Sequence, residues 1–94
     1  MAEFSRLLET VEASLFVKFN ELKKRNVRIG TTRTSVTLEP QVWDILHEVA
    51  EEQGCTVHEL CTFISERKDK KSSLTSAIRV FLLSYLHVRS KKGK

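Results

Sequence analysis

The sequence contains no hydrophobic run near the roughly 18 residues that a membrane span requires, and its first residues show no signal-peptide pattern. It has only two cysteines, Cys55 and Cys61. Six positions apart at the start of a helix, they make a poor disulfide pair, and a reducing cytoplasm is the expected compartment. Glycine occurs three times and proline once, and there is no Gly-rich phosphate loop. A nucleophile motif and a pair of acids in an apolar setting are also missing, and His87 has no evident acid partner beside Arg89. The chain is therefore not expected to be an enzyme or to carry a cofactor. Cys55, His58 and Cys61, with His47 as a fourth residue, have the side-chain types that zinc favours. Their spacing is poor, because Cys61 lies on an apolar stripe and His58 about 60° round the helix from it. No metal site is expected; Cys61 reads as a small core residue and the two histidines as surface.

What the chain does have is an uneven distribution of charge. Its 94 residues carry a net charge of +4, which alone is weak evidence for a polyanionic partner. The stretch 23–38, however, holds Lys23, Lys24, Arg25, Arg28 and Arg33 with no acid, whereas 39–53 holds Glu39, Asp44, Glu48, Glu51 and Glu52 with no Lys or Arg. The end of the chain is basic again, and the run 89–94 reads as a solvated tail. A single domain of this length buries a modest core, so association with a second copy is an expected source of stability.

Hydrophobic spacing divides the chain into elements. Phe4, Leu8, Val11, Leu15 and Leu22 recur at three- and four-residue steps, which predicts an amphipathic helix over 3–24. It reads as a packing helix or as an arm for higher-order assembly. Pro40 suits the first turn of a second helix, whose stripe is Val42, Ile45, Leu46, Val49 and Ala50 and which Gly54 ends. Trp43 belongs at the edge of that core. Thr56 and Glu59 form a capping box for a third helix bearing Val57, Leu60, Cys61 and Ile64. Residues 66–71 break the pattern and read as a loop, although without Gly or Pro a continuous helix remains open. Ser72 or Ser73 then caps a last helix that is apolar round much of its circumference, a pattern that requires extensive burial.

Between the first and second helices, Arg33-Thr34-Ser35-Val36-Thr37-Leu38 alternates strictly. A strand here turns Arg33, Ser35 and Thr37 to one face and Thr34, Val36 and Leu38 to the other. A polar face with an arginine at its edge, in a small basic protein, is what a β-ribbon reading the major groove of DNA requires. Two pairings are open. Val27-Arg28-Ile29 can fold back through Gly30-Thr31-Thr32 as a local hairpin, or the strand can pair with the same strand of a second subunit. The second is preferred, because three residues make a short partner and a lone hairpin is marginal in water.

Three segments in order carry a resemblance: Arg33-Thr34-Ser35-Val36-Thr37-Leu38-Glu39-Pro40, Trp43-Asp44-Ile45-Leu46, and Leu74-Thr75-Ser76-Ala77-Ile78-Arg79-Val80-Phe81. Over about residues 26–88 the chain resembles the ribbon-helix-helix superfamily of DNA-binding proteins, and within it a small bacterial ribbon-helix-helix domain family. The resemblance implies a mainly α fold with one short strand. It further implies an intertwined homodimer joined by an intersubunit antiparallel two-stranded ribbon, with extra N- and C-terminal helices. The expected organisation is an N-terminal helix over 1–25, the DNA-binding unit over 26–88 and a basic tail over 89–94. By position, Arg33, Ser35 and Thr37 would contact bases, and the start of the third helix, Thr56–Val57, would hold a phosphate. Lys23, Lys24, Arg25 and Arg28 would add phosphate contacts. Val36, Leu38, Leu46, Val49, Leu60, Ile64, Ile78, Phe81 and Leu82 would form the dimer core.

The expected function is that of a cytoplasmic, sequence-specific regulator of transcription from bacteria, a plasmid or a phage, with repression as the default because no sensing domain is visible. Its partners would be double-stranded DNA and a second copy of itself, with residues 1–24 available for higher assembly and no membrane association. The competing expectation is a protein-interaction or antitoxin-like module in which the helices bind a partner protein and the strand serves dimerisation.

Overall fold

The computed structural model describes residues 5–11 and 21–92. Residues 6–11 are helical, with the Ser5 hydroxyl accepting from the Leu8 N–H. Leu7, Leu8 and Val11 are exposed there. Phe4 and Leu15 of the predicted stripe lie outside the described residues. Five elements follow: strands β1 (Lys23–Ile29) and β2 (Thr32–Leu38), then helices α1 (Pro40–Gln53), α2 (Val57–Arg67) and α3 (Leu74–Lys92).

The strands correct the sequence reading. β2 pairs with β1 of its own chain, antiparallel, with Lys23 opposite Leu38 and Ile29 opposite Thr32. The ribbon is thus intrachain and has two strands, not one strand awaiting a second subunit. Both premises for intersubunit pairing fail. The partner strand has seven residues rather than three, because Lys23–Asn26 are extended instead of ending the N-terminal helix. The hairpin is also not alone, since Val27, Val36 and Leu38 are buried in one core with the helices, the condition under which two strands become stable. Closing it takes only Gly30 and Thr31. Gly30 has φ +61°, and a glycine at the first central position suits the type II′ turn whose twist matches the strands. With β1 beginning at Lys23, the ribbon also takes Lys23–Arg25 from the segment expected to belong to the N-terminal helix.

The helix ends follow their local chemistry. Pro40 opens α1, but Glu39 makes no side-chain cap there. Its carboxylate instead accepts from Arg79 of α3 at 2.7 Å. Gly54, with φ 69°, closes α1 as Cys55 N–H bonds the Ala50 carbonyl, a Schellman ending. The capping box at Thr56 and Glu59 is present. A loop separates the last two helices, but it starts two residues later than predicted: Glu66 and Arg67 still belong to α2, and of the two serines offered as caps it is Ser73 whose hydroxyl accepts from the Ser76 N–H.

The core comprises Val27, Val36, Leu38, Trp43, Leu46, Val49, Ala50, Leu60, Cys61, Ile64, Ile78 and Leu82. Eight of the nine residues expected to fill a dimer core therefore pack within one chain, and Phe81 is half-buried against them. The cause is the same: β1 supplies the second strand that a partner was expected to bring. α3 is held on α1 at both ends, by Arg79 on Glu39 and by the Tyr85 hydroxyl and Arg89 on Glu52. Arg89 is thus ion-paired, and the helix runs through the expected tail to Lys92. Only one side of α3 is covered. Ile78 and Leu82 are buried, whereas Val80 and Leu83 are 61% and 71% exposed.

Candidate nucleic-acid interface

Residues directly opposite each other in an antiparallel pair share a face. The register therefore sorts the ribbon's side chains without ambiguity. Val27, Ile29, Thr34, Val36 and Leu38 turn toward the helices. The outer face is built from three rungs: Lys24 with Thr37, Asn26 with Ser35, and Arg28 with Arg33. All six of these residues are exposed.

Arg33, Ser35 and Thr37 lie together on this face, as the alternation of β2 requires. Lys24 and Arg28 join them from β1. Lys23 and Arg25 alternate to the other side, where the Arg25 guanidinium lies 5.5 Å from the Trp43 ring centroid. Both remain exposed along the ribbon's flank. Thr56 and Val57 start α2, but the Thr56 N–H already donates to the Glu59 carboxylate at 2.9 Å. In a helix the N–H groups of the first turn have no intrahelical acceptor, so an anion at this end would meet Val57 N–H rather than that of Thr56.

The outer face contains a residue that sequence reasoning missed. The chain's periodicity puts Asn26 just past the end of a helix, and no pattern within β1 marks it. Only its register opposite Ser35 reveals it, and the Ser35 hydroxyl donates to Asn26 Oδ1 at 3.2 Å. Next to this rung, Arg28 and Arg33 stand directly opposite each other. Like charges in such a pair destabilise an isolated sheet, so this end of the ribbon is electrostatically suited to an anion or a cluster of acceptors.

The ribbon is fixed to the helices at both ends. At the open end, Trp43 Nε1–H donates to the Lys23 carbonyl at 2.9 Å. At the turn end, Arg28 N–H donates to His58 Nδ1 at 2.9 Å and Gly30 N–H to Thr62 Oγ1 at 3.1 Å. Acceptance at Nδ1 places the proton of the neutral imidazole on Nε2. These contacts satisfy strand-edge groups that would otherwise face solvent, and they hold the outer face in a fixed orientation. No local pattern signals His58 or Thr62 in this role, and His58 is anchored here rather than grouped with metal ligands. Cys61 is buried in the core and its thiol is pushed up to about 11 by burial. Among the described residues no group of three or more His, Cys, Asp or Glu side chains is placed to hold a metal ion.

A family profile described as the ribbon-helix-helix domain matches residues 22–86. The chain belongs to the ribbon-helix-helix family. The match begins next to Lys23, so both strands of the ribbon and helices α1, α2 and α3 fall within it, except the last turns of α3. Among solved structures the chain is similar to an uncharacterized protein from Bordetella pertussis Tohama I. The TM-score is 0.70 at 25% sequence identity, over 94% of this chain and 74% of that one. No curated protein matches the sequence. Ribbon-helix-helix proteins generally dimerise and bind DNA, and are typically regulators rather than enzymes. No helix among the described residues is long and apolar enough to cross a membrane.

Proposed function

We propose that this ribbon-helix-helix protein is a cytoplasmic, sequence-specific regulator of transcription, a repressor, that inserts the outer face of its β1–β2 ribbon into the major groove of double-stranded DNA. The observation that carries this reading is the three-rung outer face itself: six exposed polar side chains, three of them cationic, on a two-stranded ribbon clamped to helices. A major groove about 12 Å wide admits such a ribbon. Arg33, Ser35 and Thr37 contact bases in this reading. Lys24 and Arg28 on the face, Lys23 and Arg25 on the flank, and the Thr56–Val57 end of α2 contact phosphates, which sets affinity and register without choosing sequence. The working form is a homodimer in which each chain brings a ribbon of its own. The uncovered Val80 and Leu83 on α3 are the surface we assign to the second copy.

The test is duplex binding as a function of salt. Affinity for a selected duplex should fall steeply between low and physiological salt, with a log–log slope reflecting several phosphate contacts. A shallow slope and no preference among duplexes would remove the DNA reading. That result would favour the protein-interaction module instead, for which the specific observation is a groove of about 330 Å³ beside Phe63, Ala77, Val80 and Phe81.

A further inference from the structure

We infer that Asn26 is an adenine-reading side chain of this ribbon, held in its reading orientation by Ser35, one rung away from a guanine-reading Arg33. The inference rests on the duplex-reading role proposed above and extends it to β1, whose residues were expected at most to touch phosphates.

The chemistry follows from the hydrogen-bond inventory of the rung. An asparagine recognises adenine by accepting from N6–H₂ through its carbonyl oxygen and donating its amide to N7. That bidentate pair requires the amide to face outward with its oxygen and nitrogen in a fixed sense. The Ser35 hydroxyl donates to Asn26 Oδ1 at 3.2 Å, which ties the amide to its own rung on the outer face. A carbonyl oxygen has two lone pairs, so Oδ1 keeps one for an adenine amino group, and the amide NH₂ has a hydrogen to donate to N7. Ser35, itself on the base-contacting face, thus also positions Asn26, and Asn26 is the group that meets the adenine.

Its neighbours on the same face supply the rest of the reading surface. Arg28 and Arg33 form the next rung toward the turn. Their mutual repulsion is relieved when one guanidinium takes the acceptor pair O6 and N7 of a guanine and the other a phosphate. Successive rungs on one face are two residues apart, about 6.8 Å at strand rise, and the duplex advances about 3.4 Å per base pair. With the ribbon running along the groove, the adenine met by Asn26 and the guanine met by Arg33 lie about two base pairs apart.

Selection from a random duplex pool tests this with the full chain and with Asn26→Ala, Asn26→Asp, Ser35→Ala and Ser35→Thr. Asn26→Asp is nearly isosteric and sits on an exposed face, so folding is preserved even if the alanine variant is weakened. The wild type should select an adenine about two positions from a guanine. Both Asn26 variants should lower the preference at the adenine position by about tenfold or more and leave the guanine preference in place, and Asn26→Ala, which changes no charge, should leave the salt slope unchanged. Ser35→Ala should reduce the adenine preference, and Ser35→Thr, which keeps the hydroxyl, should restore it. A wild type that selects sequences while the Asn26 variants select the same ones overturns the role of Asn26 and leaves the DNA-reading proposal standing. A wild type with no sequence preference overturns both.

Discussion

At the residue scale, the ribbon separates side chains that read from side chains that hold. Arg33 belongs to the first group in the proposed function. Arg33→Ala should remove roughly 1–3 kcal/mol of discrimination at one guanine position while leaving the fold intact, because the side chain is exposed; competition mobility shifts with single-base variants of a selected duplex measure it. Glu39 belongs to the second group. Its carboxyl is held below its ordinary value of 4.5, first by the hydrogen bond from Arg79 and then by its own backbone, against a smaller opposing effect of burial. A depressed carboxylate stabilises the fold above its unfolded pKa and loses that contribution as pH falls through the folded value. Glu39→Gln should therefore lower stability at pH 7 by about 1 kcal/mol or less. By about pH 2 the difference should have vanished, as thermal unfolding at the two pH values would show. The pair was not readable from sequence, where Glu39 appeared only as one of the acids of 39–53 and next to Pro40. A carboxylate 40 positions from its arginine has no local signature.

At the scale of elements, local chemistry was largely legible and pairing was not. The capping box at Thr56, the glycine ending of α1 and the proline at its start need only a few adjacent residues, and they hold as read. β1 was half-missed because Lys23-Lys24-Arg25-Asn26 has no apolar alternation of its own. It is a strand because β2 and the helices offer it partners. The turn between the strands is the local feature on which this depends. Gly30 has open space where a Cβ would lie, but its φ is +61°, a region costly for a β-branched residue. Gly30→Val should cost about 1–2 kcal/mol and loosen the hairpin. Hydrogen exchange at the β1 amides is the direct readout, with weaker duplex affinity following if the ribbon reads DNA.

At the scale of the molecule, one chain closes its own core through the hairpin and still leaves an apolar stripe on α3. Val80 and Leu83 face away from Ile78 and Leu82, which explains why the sequence showed a helix apolar on so much of its circumference. One side serves the chain's own core, and the other is the surface assigned to a second copy. Leu83→Glu should leave the ribbon and core folded, since the side chain is 71% exposed, and shift the protein from dimer to monomer in sedimentation equilibrium. A wild-type protein that is monomeric at high concentration would remove the dimer proposal.

The sequence by itself determined the helices after the strand, their caps, and the polar and apolar faces of residues 33–38, because periodicity and capping are set within a few residues of chain. It also carried the family, through three ordered segments. Only the tertiary structure decided which strand pairs with β2, and with it the identity of Asn26 as a face residue, the anchoring roles of His58, Thr62 and Trp43, and the closure of the core within one chain. Those depend on contacts between groups distant in sequence, whose free energy is realised only when the helices and the hairpin are assembled together.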